Sequence, residues 1–260
     1  MTCWMRSGSG WPRWSKAHCG DRLCQRRTSL SGKAAMRTEL RAAASTVVYE
    51  TLTAVRAPLL SRRFQRAVAS APGPVNVNIG AGNVRVPGWI NTDVGWSSEM
   101  YLDATKPWPV PQGSIDRIYG DNVIEHFSLS MCRIVLRNFY HALRPGGGIR
   151  LATPDVERTA RAYLEDPQLT ADHLDRHRRH GYPAEHSVDM LRITYAFHGH
   201  HLGYCFDWEA LSAELTVAGF VDVRRYEAGE SDDPAFSGLE SRDEPTEAAT
   251  ELIVEARKAA

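Results

Sequence analysis

"VNVNIGAGNVRVPGWINTDV", residues 75–94, decides the fold. A short apolar run breaks into Gly80-Ala81-Gly82, and a second apolar segment ends on Asp93. Glycine adopts backbone conformations closed to other residues, and without a Cβ it lets the chain approach a ligand closely. In open α/β sheets, ligands sit beyond the carboxyl ends of the strands. A glycine turn after one strand and an acid ending the next therefore lie side by side. A carboxylate placed there can accept hydrogen bonds from both hydroxyls of a ribose.

Working outward, strands are predicted near 75–79, 89–93, 115–119 and 148–153, with a short one before Asp103 in "YLDAT". Helices are predicted near 128–143 and 155–165. "LRPGGG" at 143–148 stops the first of these with Pro and Gly and feeds the strand "IRLATP". The helix "DWEALSAELTVAGF" and the strands "VDVRRYEA" and "TELIVEARK" follow, the strands joined by an acidic loop. Such alternation implies a mostly parallel sheet covered on both faces. Only Gly80 to Gly88 separate the first two strands. A parallel crossover usually needs at least about 10–12 residues, so the first helix is predicted to shrink to a turn or two.

Residues 156–206 interrupt this rhythm with a polar stretch that carries seven histidines and Tyr163, Tyr182, Tyr195 and Phe197. It is read as a helical insertion over the active site. Within it Val188, Leu191 and Tyr195 fall at helical spacing, which predicts a core stripe.

The N-terminal part reads differently. Residues 1–70 carry thirteen Lys or Arg against Asp21, Glu39 and Glu50. Residues 1–35 show neither helical nor strand period and are read as a disordered basic extension. Helix formers begin at Met36, the expected true start, and residues 36–71 form an N-terminal helical segment. "SGK" at 31–33 is not a phosphate loop, because Arg27 stands where its first glycine should be and Ala34 where Ser or Thr should be. Five cysteines at irregular spacing, with no CxxC pair, predict free thiols and no zinc site. No run reaches the roughly 18–20 apolar residues of a membrane span, and no apolar signal core is visible. A cytoplasmic protein is expected.

Two cofactor classes use a glycine turn followed by an acid. A dinucleotide fingerprint has a third glycine, where this chain has Arg85, and its acid comes roughly 20 residues on. Here Asp93 follows Gly80 by 13. S-adenosylmethionine has no phosphate and needs only the turn and the ribose carboxylate. "NIGAGN", "INTDV", "LDATKPWPVPQGSIDRIYGDNVIEHF" and "LRPGGGIRLATPD", followed by "AGF" and "VEARK", resemble in order the motifs of class I S-adenosylmethionine-dependent methyltransferases, close to the type 11 group.

The resemblance spans roughly residues 75–257 and implies a Rossmann-like methyltransferase fold over 72–260. Its sheet would be mostly parallel with an antiparallel C-terminal strand. By the same resemblance Gly80, Ala81 and Gly82 contact S-adenosylmethionine through backbone atoms. Asp93 holds the ribose, Asp103 with Ala104 flanks the adenine, and Asp121 lies near the methionyl end. Asn78 stands where the family usually places an acid near the amino group. Members with so short a first crossover are often associated with glycan modification.

The acceptor is less defined. The Asn/Asp-Pro-Pro-aromatic motif of base amino methylation is absent, so a hydroxyl on a small molecule or glycan is the expected acceptor, and nucleic acid is not an expected partner. Alternatives are an RNA 2′-hydroxyl methyltransferase, a nucleic-acid binder using the basic arm, and a non-catalytic cofactor-binding protein. His126 and His200 are the candidate catalytic residues. Glu125-His126, with His198, His200 and His201, can brace the turn, remove a proton or hold a divalent cation. In the metal-dependent enzymes that this pair resembles, a further glutamate stands where this chain has Asn122, so no metal is expected.

Overall fold

In the computed structural model the described residues are 56–95, 98–197, 199–240 and 245–260. The basic extension, the expected start at Met36, Cys3, Cys19, Cys24 and His198 lie outside them. Seven strands form one sheet: β1 Asn76–Ile79, β2 Ile90–Asp93, β3 Met100–Tyr101, β4 Ile115–Asp121, β5 Leu143–Pro154, β6 Phe220–Tyr226 and β7 Glu251–Lys258. Their order is β3-β2-β1-β4-β5-β7-β6. β7 runs antiparallel to both neighbours, and the other pairs are parallel. This is the mostly parallel, Rossmann-like sheet expected from the sequence, with the C-terminal strand antiparallel.

One sheet face is packed by helix α1, which runs through residues 56–69, by α2 Leu129–Ala142 and by α6 Trp208–Val217. α2 starts at Ser128, whose hydroxyl accepts from the Met131 amide. Its residues Cys132, Val135, Leu136 and Phe139 recur at three- and four-residue spacing and are buried. Phe64, Trp108 and Phe139 meet edge to face, with centroids 6.1 and 5.8 Å apart. Such contacts add to the stabilisation that burial of the rings already supplies.

The opposite face is polar. Strand alternation places Arg117 and Tyr119 of β4, and Arg150 of β5, away from Ile118 and Leu151. The loop between β6 and β7 meets them. Asp233 pairs with Arg117 at 2.8 Å, and Phe236 stacks near Trp89. Arg150, fully buried, donates to Glu240 at 2.7 and 2.5 Å and to Glu255 at 2.5 Å.

The reduced helix predicted between β1 and β2 is absent; residues 80–89 contain turns only. The side chain of Asn91 spans the gap instead. Its Oδ1 accepts from the Val86 amide and from Asn78 Nδ2, and its Nδ2 donates to the carbonyls of Val86 and Trp89. A carboxamide thus satisfies backbone groups that a helix would have paired internally.

The insertion forms helices α3 Val156–Glu165, α4 Pro167–Arg179 and α5 Asp189–Ala196 around a small core of Ala162, Leu174, Ala184, Met190 and Ile193. The predicted stripe of Val188, Leu191 and Tyr195 is corrected. Asp189 caps the preceding turn, accepting from the Glu185 and His186 amides, so α5 begins after Val188 and buries Met190 and Ile193. Val188 is half exposed. A short helix α7, Pro245–Ala249, leads into β7. Among the described residues no helix is long and apolar enough to cross a membrane.

Candidate active site

β1 ends in a turn that only glycine makes easily. Gly80 and Gly82 have φ of +62° and +51°, in the left-handed region. A Cβ on Gly80 would lie 2.3 Å from Cγ2 of Val123. The Gly82 amide donates to Asp93 Oδ2 at 2.8 Å and the Gly95 amide to Oδ1 at 2.5 Å, so Asp93 anchors the turn beside it. The Ala81 amide donates to the Thr92 carbonyl at 3.0 Å. Gly80 and Asp93 open onto a cleft of about 660 Å³ that is also lined by Tyr101, Asp103, Ala104, Asn122 and His126.

Of the residues assigned to the cofactor from the sequence, Gly80, Asp93, Asp103 and Ala104 line this cleft. Asp103 also closes a local turn, its Oδ1 accepting from the Thr105 amide at 2.9 Å and hydroxyl at 2.6 Å. Asn78 and Asp121 are placed otherwise. Asn78 is buried between strands and donates to Asn91 at 2.9 Å. Asp121 accepts from the Tyr119 hydroxyl at 3.2 Å. Neither these two nor Ala81 and Gly82 are among the residues lining the cleft.

A second cavity, of about 280 Å³, shares Asn122 and His126 with the first. Its walls come from the insertion and the C-terminal strand: His173, Arg176 and His177 of α4, His200, and Glu247 and Glu251 flanking the entry to β7. Asn122 was not singled out as a site residue from the sequence. Its φ of +50° marks it, because asparagine tolerates the left-handed region and such outliers cluster at functional sites. Arg176, Glu247 and Glu251 carried no sequence signal, since they are brought together across about seventy residues of chain only by the fold.

His126 at the junction stands beside the buried Glu125 and beside His200, which lines the second cavity only. The first two belong to a single 3-10 turn, Ile124–His126, after β4, and the third to a similar turn, His200–Leu202. The imidazole centroids of His126 and His200 are 4.9 Å apart. Nδ1 of His200 lies 2.6 Å from the Thr194 carbonyl. A carbonyl only accepts, so Nδ1 carries the proton and Nε2 of the neutral ring keeps its lone pair. Glu125 is 1% exposed. Its Oε2 accepts from the Thr153 hydroxyl at 3.1 Å, while Oε1 lies 3.8 Å from His200 Nε2. Burial pushes its carboxyl up to about 8, the fields of Asp121 and Glu251 act in the same sense, and hydrogen bonds oppose them.

The two turns are packed backbone to backbone through Gly203, where a Cβ would stand 1.8 Å from the Glu125 carbonyl oxygen. Gly203→Ala must therefore push the His200 turn off the Glu125 turn. The expected cost is about 1–3 kcal/mol, the scale of overpacking, read as a lower denaturation midpoint. A midpoint equal to that of the parent chain would show that the turns are not in contact.

No family model matches the chain, and no curated protein matches it. Among solved structures it is similar to the CurJ carbon methyltransferase, at 15% identity and TM-score 0.43 over 78% of this chain and 54% of that one. It is similar to a SAM-dependent methyltransferase from Archaeoglobus fulgidus, at 15% identity and TM-score 0.45 over 77% of this chain and 94% of that one. Human N-acetylserotonin methyltransferase in complex with SAM gives 15% identity and TM-score 0.39 over 75% and 43%. The chain thus spans about half the length of the first of these and less than half of the human enzyme.

Proposed function

We propose that the protein is an S-adenosylmethionine-dependent methyltransferase that acts on a hydroxyl of a small molecule or sugar. One observation carries the reading: a glycine cradle and an acid line one cleft, which meets a histidine-lined cavity at Asn122 and His126. The cleft fits the cofactor. A Cβ on Gly80 would collide with Val123, so the turn beside the cleft requires glycine, and Asp93 and Asp103 offer acceptors of the kind a ribose and an adenine amine need. S-adenosylmethionine, when bound, supplies an electrophilic methyl group.

The residues of the chain would do the rest. Asp93 orients the ribose and Asp103 with Ala104 the adenine. Asn122 and His126 stand between donor and acceptor, where a reacting hydroxyl must come. A neutral histidine suits removal of the hydroxyl proton near pH 7. Glu125, protonated in the absence of a cation, is not a base there. The second cavity, of about 280 Å³, is of a size that supports a small acceptor.

The test is calorimetric titration of the chain with S-adenosylmethionine and with NADH, followed by a methyl-transfer screen over methyl glycosides, catechols and short RNA. Binding of S-adenosylmethionine and transfer to one of the first two is expected. Tight NADH binding without S-adenosylmethionine binding overturns the cofactor assignment, and transfer to RNA alone overturns the acceptor assignment.

A further inference from the structure

Left-handed backbone in this fold belongs almost wholly to glycine. Among the described residues ten glycines have positive φ, and two other residues share it. One of these, Asp222, stands exposed in the bulge of β6. The other is Asn122, at +50°, directly after β4. Asparagine tolerates this region better than most residues, but glycine adopts it with no side-chain penalty. A side chain retained at such a position points to a function for it.

That function is not to brace the fold. The carboxamides of Asn78, Asn91 and Asn138 each donate within the structure, to Asn91, to the Val86 and Trp89 carbonyls, and to the Ala104 carbonyl. Among the described residues the carboxamide of Asn122 makes no hydrogen bond. Asn122 instead joins His126 in lining both the cleft at Gly80 and the second cavity. The backbone beneath it is fixed on both sides. Its amide donates to the Ala152 carbonyl at 2.9 Å, extending the pairing of β4 with β5. The next residue, Val123, fills the space where Gly80 would carry a Cβ, and Ile124 opens the turn that holds His126. A polar group on so rigid a mount is already in place when a ligand arrives.

We propose that Asn122 is a catalytic residue whose Nδ2 donates a hydrogen bond to the acceptor oxygen where the two cavities meet. The proposal rests on the hydroxyl-methyltransferase reading and assigns a residue to it. A hydroxyl oxygen has two lone pairs, and one of them accepts from Nδ2. The other forms the bond to the methyl carbon, while the electron pair of the carbon–sulfur bond stays with sulfur. The hydroxyl proton passes to a ring nitrogen of His126. As it leaves, negative charge grows on the oxygen, and a fixed N–H aimed there binds the transition state more tightly than the ground state. His126 thus takes the proton and Asn122 holds the oxygen. A carboxylate of the same shape has no hydrogen to give.

The test compares the full chain with Asn122→Gly and Asn122→Asp. In ¹⁵N-resolved spectra the side-chain amide of Asn122 is the signal that both variants lack. With S-adenosylhomocysteine bound, that signal should shift further when methyl glucoside or catechol is added. Asn122→Gly should keep a denaturation midpoint equal to or above that of the parent chain, since glycine suits the backbone. It should keep its S-adenosylmethionine affinity by calorimetry and lose about 100-fold or more in kcat, the scale for removing one such donor. Asn122→Asp should lose as much, because it keeps the shape and gives no hydrogen. No shift of the amide signal with either probe overturns the proposal, as does a kcat near the parent value in either variant. A midpoint of Asn122→Gly well below that of the parent marks a structural asparagine and overturns it too. An amide shift in a chain that transfers no methyl group leaves the hydroxyl contact standing and refutes the methyltransferase reading. Methyl transfer that is indifferent to Asn122 refutes the assignment alone.

Discussion

Arg150→Ala is expected to lower folding stability by about 3–5 kcal/mol, the scale for removing one member of a buried ionic group. The guanidinium is fully buried and is shared by Glu240, Glu255 and the Glu230 carbonyl. Without it, two carboxylates remain buried with no countercharge. Burial already holds the Glu255 carboxyl above its ordinary range, and loss of the arginine moves it further up. A carboxyl raised in the folded state holds a proton that the unfolded chain has released. Its stabilising contribution is present at low pH and lost as pH rises through the raised value. The variant should therefore lie closest to the parent chain near pH 5 and furthest from it near pH 8. Denaturant titrations at both pH values check this, and a loss below about 1 kcal/mol at pH 8 would sink the account. Replacing all three side chains by apolar ones should restore much of the loss.

Asp93→Ala is expected to weaken S-adenosylmethionine binding by about 2–3 kcal/mol, or roughly 30–150-fold, the scale for losing a charge-assisted hydrogen-bonded partner. Asp93 holds the glycine turn through the Gly82 amide while lining the cleft, so its removal acts twice on the same site. The variant should nonetheless stay folded, because Gly82 is exposed and water can replace the lost acceptor. Asp93→Asn, which keeps an acceptor for the turn but not the charge, should fall between the two. Calorimetry on the three chains separates these effects. Equal affinity in all three would remove the ribose assignment.

The glycine-turn half of the candidate site was legible because it is local. Gly80, Gly82 and Asp93 belong to one strand-turn-strand stretch, and their spacing alone places them together. The strand and helix order was likewise readable from short apolar runs bounded by Gly and Pro. The second cavity was not, because its walls come from α4, the turn at His200 and the start of β7, which no local pattern links. Asn78 shows a third kind of limit. Its position matched a cofactor contact, but the missing first helix leaves Asn91 to pair the loop, and Asn78 bonds to it. Val188 failed for a boundary reason, since it is the N-cap of α5 and stands outside the face that buries Met190 and Ile193.

The insertion leaves and rejoins the sheet at one point. Asp155 and Phe206 form a parallel bridge, and the Val156 amide donates to the Phe206 carbonyl at 3.0 Å. Everything between them, including α4 and His200, enters and leaves through that pair of backbone positions and has its own apolar centre. Evolution can treat such a segment as a cartridge. A different stretch of sequence, entering and leaving at the same bridge, would bring a new wall to the second cavity at Asn122 and His126 while the cleft at Gly80 and Asp93 stayed as it is.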